Sequence, residues 1–284
     1  MAFNREVFIT RVRTAAIFVA VMALGLLTGR WPFLLLFTVI HFGCWHEYQQ
    51  LMGRIYPRYR DITPFHRLGV MLAGWCMMLY ATAEHWTLGP VSISALAFWL
   101  GLVLLFVLPM IEILFTRTLD LRNILISMGG LAYISLSLAL MIHLRSGELG
   151  LMADAIALPL LIIASIWIND TMAYLVGSFI GRTPLSVFSP KKTWEGTIGG
   201  IILSVAALSV FGYLTGATWY HYLFISLLSA VAGSFGDLFE SKLKRMAGVK
   251  DSGTFMPGHG GFLDRFDSLL FAIPLVWLYA FFFM

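Results

Sequence analysis

The chain has 284 residues, 59% of them hydrophobic and 12% charged, with a mean hydropathy of +0.84. A soluble domain carries about 25% charge, so this composition excludes a water-soluble globular fold and fits a polytopic membrane protein. The net charge of +4 comes from 19 Lys and Arg scattered among apolar runs; they form no basic domain for nucleic acid, and orientation in a membrane explains them better.

Crossing a hydrocarbon core takes roughly 20 residues of helix. In chain order, the apolar segments predict nine spans: Thr14 to Thr28, Trp31 to Leu51, Leu68 to Ala83, Val91 to Phe115, Leu121 to Leu144, Met152 to Val176, Gly196 to Thr215, Trp219 to Phe239 and Arg265 to Phe283. The expected fold is all-α, a single integral membrane domain over residues 1–284. With nine spans, 17 of the 19 Lys and Arg fall on the side of the amino terminus, leaving Arg30 and Arg145 opposite. By the positive-inside rule the amino terminus is cytoplasmic and the carboxyl terminus outside.

The first segment has the basic start and apolar stretch of a signal peptide, but eight further spans make it an uncleaved helix. Cys44 and Cys76 fall inside spans with no CxxC spacing and no neighbouring histidine cluster, so buried free thiols are expected. Glu47, His41 and His46 near the end of the second span, and Glu112 near the end of the fourth, read as snorkelling groups or hydrogen-bond partners of a neighbouring helix.

Chemistry concentrates in the second half. Asp170 lies in the apolar run IWINDTMAYLVG, where a carboxylate at a helix centre costs about 2.5 to 3.5 kcal/mol and so needs a partner or a role. Ser189-Pro190-Lys191-Lys192-Thr193 then leads into the next span. Proline halts helix before two ammonium groups and a hydroxyl, an arrangement suited to phosphate at a helix amino terminus, although membrane orientation alone would also use two lysines. Asp237 and Glu240 close the eighth span with a spacing that shares one face if helix continues, and either could pair with Lys244 or Arg245. Asp264 and Asp267 repeat that spacing at the start of the ninth span, where Asp264 could equally serve as a cap. Between them runs a polar loop with Lys250, Asp251 and the turn Pro257-Gly258-His259-Gly260-Gly261.

Carboxylate oxygens without cysteine or clustered histidine favour a hard divalent cation such as magnesium, which binds through a few carboxylates, waters and substrate phosphates. No GxxxxGK[ST] motif is present, which excludes a P-loop ATPase. The residues alone therefore point to metal-dependent phosphate chemistry at the membrane surface.

From Ser241 to Asp267 the pattern S-x-L-K-R-x4-K-D-x-G-x3-P-x-H-G-G-F-x-D-R-F-D resembles the signature of the phosphatidate cytidylyltransferases, also called CDP-diacylglycerol synthases. DTMAY from Asp170 with Gly177 and Gly181, SPKKTWEG from Ser189, and Gly236 to Arg245 are similar to further blocks of that family. The likeness is sharp from Asp170 to Phe271 and diffuse before it, where Glu47 is the clearest shared feature. It implies a membrane enzyme joining CTP and phosphatidic acid with magnesium, on a two-cation centre held by Asp237, Asp264 and Asp267, with Lys250 assisting catalysis. Substrate contacts would come from Asp170, Ser189, Lys191, Lys192, Thr193, Lys244, Arg245, His259 and Arg265, with His259 either donating to a phosphate or bracing the glycine turn. It further implies a homodimer in a bacterial inner membrane. A CTP-dependent polyprenol or phytol kinase and a transporter for a phosphorylated solute are the alternatives; the transporter is disfavoured because the charges gather on one face instead of the midplane.

Overall fold

The computed structural model describes residues 5–82, 87–88, 90–115, 120–146, 156–255 and 260–284. Among the described residues the chain forms ten helices, α1 (Arg5–Leu27), α2 (Arg30–Ile55), α3 (Pro64–Tyr80), α4 (Ile93–Phe115), α5 (Leu121–Gly130), α6 (Ser137–Ser146), α7 (Ala157–Ile180), α8 (Trp194–Leu214), α9 (Trp219–Met246) and α10 (Leu263–Phe283). A π-helical stretch, Leu131–Leu136, joins α5 to α6, and a 3-10 turn, Pro57–Asp61, follows α2. The only strands among the described residues are β1 (Thr87–Leu88) and β2 (Val91–Ser92), an antiparallel ribbon with Leu88 opposite Val91. The protein is an all-α polytopic membrane protein, as its composition requires.

Each predicted segment overlaps a helix among the described residues, while residue 83 and residues 152–155, at the ends of two of them, lie outside those residues. Among the described residues, six helical rods are long and apolar enough to cross a membrane: α4, the continuous rod Leu121–Ser146, α7, α8, α9 and α10. Hydropathy placed the helix interiors, and polar caps set the ends. Thr63 caps α3 by accepting from His66 N at 3.1 Å with Pro64 in the first turn, so the helix starts four residues before the expected Leu68. Thr193 caps α8 by accepting from Gly196 N at 3.2 Å. Helix α9 continues past Phe239 to Met246, where Lys244 pairs with Glu240 one turn earlier.

Two compact units are distinguished, residues 1–142 with 246–266, and residues 143–245 with 267–284. The first is organised by α2, whose buried face carries Phe33, Phe37, Ile40, Cys44, Trp45 and Leu51. Several polar groups inside it are paired, as burial demands, although His41 Nδ1 has no hydrogen-bond partner among the described residues. Ser135 in the π-helical stretch meets both Trp45 Nε1 at 2.8 Å and His41 Nε2 at 3.0 Å. Ser127 meets His66 Nε2 at 2.8 Å and the Tyr59 hydroxyl at 3.1 Å, and Glu112 accepts from the Thr63 hydroxyl at 3.0 Å. Glu112 is thus a hydrogen-bond partner between helices, as its position suggested. Cys44 and Cys76 are buried free thiols.

In the second unit α7 and α8 pack through small residues. A Cβ on Gly196 would stand 2.7 Å from the Ala173 carbonyl, and one on Gly200 would stand 2.7 Å from the Asn169 carbonyl. Such close backbone approach is what small residues four apart permit in a membrane helix pair. Ser204 adds a buried hydrogen bond to the Ser165 carbonyl at 2.9 Å. Replacing Gly200 with Leu should force α8 away from α7 and cost about 1 to 3 kcal/mol by overpacking. The expected readout is a lower unfolding temperature in detergent for Gly200→Leu than for the smaller Gly200→Ala; equal melting of both would show that the helices do not approach this closely.

Candidate functional site

The SPKKT segment folds as a turn and then a helix start. Pro190 occupies the second position of a turn closed by Lys192 N donating to the Ser189 carbonyl at 3.2 Å, and Thr193 follows as the cap of α8. The stretch RTPLSVF, residues 182–188, pins this turn from the other side. Leu185 N donates to the Lys192 carbonyl at 2.7 Å, Trp194 N to the Thr183 carbonyl at 2.9 Å, and Pro184 bridges Thr193. Glu195, absent from the expected site, fixes the start of this stretch by accepting from the backbone N–H of Arg182 at 3.1 Å and of Thr183 at 3.2 Å.

Held this way, Lys191 and Lys192 line a pocket of about 470 Å³ together with Asn169, Asp170, Tyr174, Gly177, Ser178, Thr193, Thr197 and Ser234. Lys192 forms an ion pair with Asp237 on α9. Burial alone would lower its pKa, but the Asp237 carboxylate, by charge and hydrogen bond, and Asp170 and Asp267 at longer range hold it above lysine's ordinary value. One ammonium therefore serves three carboxylates. Asp267 faces Asp237, Lys192 and Lys244 in turn, because α9 meets α10 where a Cβ on Gly236 would stand 2.5 Å from the Asp267 carbonyl.

Among the described residues no three His, Cys, Asp or Glu side chains form a ready cage for a metal. Magnesium does not require one, since it keeps waters and shares substrate phosphates with one or two carboxylates. The donor set fits that pattern. Asp237 and Asp267 supply hard oxygens, and Asn169 Oδ1, in a residue only 3% exposed, has no hydrogen-bond partner among the described residues.

The signature loop is built separately, within the first unit. Glu47 on α2, 5% exposed, receives Phe262 N on Oε1 and Leu263 N on Oε2, both at 2.8 Å, and the Ser252 hydroxyl at 2.7 Å. It therefore caps α10 from another helix, satisfying backbone donors that the first turn leaves open. Asp264 does not cap α10; its Oδ2 accepts from Ser252 N and Gly261 N, both at 2.8 Å, and lies 2.9 Å from the Ser252 hydroxyl. A Cβ at Gly253 or Gly261 would overlap the Glu47 carboxylate, so only glycine lets the loop close on it. Lys250 lines a cavity of about 640 Å³ beside Glu47, Asp251 and Phe255.

The expected residues thus fall into separate groups. Asp170, Lys191, Lys192, Thr193, Asp237 and Asp267 come together in the second unit, with Ser189 in the adjoining turn. Lys244 is engaged by the fully buried Glu240, and Arg245 Nε donates to the Phe188 carbonyl at 3.4 Å. Lys250 and Asp264 belong to the loop, Arg265 is exposed on the first turn of α10, and His259 lies outside the described residues. Asn169, Tyr174, Ser178, Thr197 and Ser234 entered the pocket without having been expected there; Asn169 adjoins Asp170, Tyr174 ends the DTMAY block, and the signal of the other three was helical spacing from Asp170, Thr193 or Asp237.

The sequence profile of the cytidylyltransferase family matches residues 9–283. The chain belongs to this family. Among curated members, it is 49% identical over 114 residues to phosphatidate cytidylyltransferase 4, chloroplastic, of Arabidopsis thaliana, 38% of this chain and 28% of that protein. It is 45% identical over 115 residues to the phosphatidate cytidylyltransferase of Staphylococcus saprophyticus, 39% of this chain and 44% of that protein. With that of Synechocystis it shares 46% over 124 residues, 43% of this chain and 42% of that protein. The matched stretch thus spans less than half the length of each of these relatives.

Glu47 is the residue whose loss should disorganise the signature loop. In Glu47→Gln one of the two backbone donors faces an amide N–H₂ instead of an oxygen, a loss worth about 1 to 3 kcal/mol locally. Backbone amide hydrogen exchange at Phe262 and Leu263 should accelerate severalfold, while the α7–α8 amides stay protected. Unchanged exchange at those two amides would mean that Glu47 does not hold them.

Proposed function

We propose that this cytidylyltransferase condenses CTP with phosphatidic acid to give CDP-diacylglycerol and pyrophosphate. The observation that carries the reading is the single ammonium of Lys192 set among Asp237, Asp170 and Asp267 at the amino terminus of α8. Cations, hard carboxylate oxygens and a helix start are what a nucleoside triphosphate and its divalent ion need together. The names of the relatives agree with it.

A phosphate monoester has a second pKa near 6, so at neutral pH phosphatidate is already a nucleophile and needs no strong base. One of its oxygens forms a bond to the α phosphorus of CTP as the bond from that phosphorus to the pyrophosphate oxygen breaks. The electron pair leaves with pyrophosphate. Lys191 and Lys192, at the positive end of the α8 dipole, hold the phosphates in line and take up the growing charge, with Arg245 and Lys250 as further cations. Magnesium bound at Asp237 and Asp267 would supply neutralisation of the leaving pyrophosphate. Asp264 as a further ligand, and a second cation, belong to the same proposal. So do contacts from Ser189, Thr193, Asp170, Lys244, His259 and Arg265.

Alpha-labelled CTP should pass its label to lipid while gamma label appears in pyrophosphate. Lipid labelled from the gamma position would instead make the enzyme a kinase. In the same assay Asp237→Asn, Asp264→Asn and Asp267→Asn should each lose most activity while inserting normally, any residue of it needing more magnesium, since a neutral amide is a poorer ligand. Full activity at ordinary magnesium in all three would remove the metal centre from these carboxylates.

We further propose nine spans in a bacterial inner membrane, the amino terminus and site on the cytoplasmic face, the carboxyl terminus outside, and a homodimer. A reporter fused after Met284 should then be extracytoplasmic and one in the Arg54 to Arg67 loop cytoplasmic. Both on one side would overturn the nine-span topology.

A further inference from the structure

Three arginines from the least informative half of the sequence converge on one cavity. It has a volume of about 460 Å³ and is lined by Arg54 at the end of α2, Arg60 in the 3-10 turn, Arg67 on α3, and His46, Gln49, Gln50 and Gly53. No carboxylate lines it, and among the described residues none of the three arginines is paired with one. The positive-inside rule requires basic residues in such a loop, but it does not require them to share a cavity.

Their convergence is held by specific contacts. The Arg60 stem lies across Gly53, 3.0 Å from where a Cβ would stand. Gln49, only 9% exposed, donates to the Arg67 carbonyl at 3.0 Å, and Arg67 Nη2 donates to the Arg60 carbonyl at 3.3 Å. The amide of Gln50 contacts His46 Nε2 at 2.7 Å. The Arg60 stem and the Arg67 backbone are therefore fixed, Arg67 keeps further guanidinium donors, and all three arginines line an open cavity. A planar guanidinium offers paired donors that match phosphate oxygens, and three of them without a counter-charge constitute an anion site.

The surroundings choose between a soluble anion and a lipid. Phe65 and Leu68, on the first turns of α3 either side of Arg67, are 73% and 56% exposed. Large apolar side chains exposed beside a basic pocket at a helix end suit the boundary between headgroups and acyl chains. The adjoining cavity, which shares His46, Gln50 and Arg54, carries Glu47 and Asp251 and is less suited to an anion.

We propose that Arg54, Arg60 and Arg67, with Gln49 and Gln50, hold the phosphate of an anionic membrane lipid. This pocket shares no lining residue with the one around Lys192, and the inference does not depend on the reaction proposed above. The test uses phosphatidylglycerol, whose phosphodiester is not a substrate of that reaction. The delipidated full chain in neutral detergent should retain phosphatidylglycerol over phosphatidylcholine by about tenfold in native mass spectrometry, the size expected from one or two charged hydrogen bonds. R54Q/R60Q/R67Q should bring that ratio close to one. R54K/R60K/R67K, which keeps every charge and the topology, should still lower it severalfold because the paired donors are gone. Selectivity undiminished in the Gln variant would overturn the site, selectivity undiminished in the Lys variant would reduce it to diffuse charge, and displacement of the lipid by inorganic phosphate would assign it to a soluble anion instead.

Discussion

A carboxylate buried among apolar side chains is tolerated only when its oxygens are satisfied, and at Glu47 that requirement organises a distant part of the chain. Two backbone N–H groups and a serine hydroxyl converge on it from residues 252 to 263. Each side needs the other. Without Glu47 the first turn of α10 would present donors with no acceptor, and without the loop α2 would carry an uncompensated charge. The hydroxyl of Ser252 lies within hydrogen-bond distance of both Glu47 and Asp264, so one proton is shared between two acids, and the conformation of the loop is tied to where that proton points.

The second unit resolves its charges differently. Lys192 answers Asp237 directly and Asp170 and Asp267 at longer range, Lys244 also acts on Asp267, and Lys191 lines the same pocket, so carboxylates and ammonium groups make one polar cluster. In the proposed reaction the ammonium that balances Asp237 serves a phosphate once the carboxylate has a divalent cation as its partner.

Much of this was legible in the sequence because the signals were local. Apolar runs located the helices, and Ser189 to Thr193 announced a turn and a helix start through Pro190 and the capping hydroxyl. The segment ends were less legible because hydropathy fades before helix does: α9 runs on through Glu240 and Lys244, whose spacing supports helix in polar sequence. The role of Glu47 could not be read locally, since its partners lie more than 200 residues away. Asp264 looked like a cap for the same reason, because nothing nearby revealed that another helix already supplied one. The π-helical stretch Leu131–Leu136 has no residue type that codes for it; its Ser135 acquires meaning only when Trp45 and His41 are brought beside it.

The length of α9 has a consequence for where chemistry can take place. Its 28 residues span about 42 Å at 1.5 Å each, and a tilt of about 20° shortens the projection only to roughly 40 Å. The hydrocarbon core is about 30 Å thick, so the helix outruns it by some two turns. Glu240, Lys244 and Arg245 occupy the last seven residues of that rod, about two turns. The helix therefore acts as a mast, rooted in oil and carrying its charged tip up to the layer where water and lipid headgroups meet.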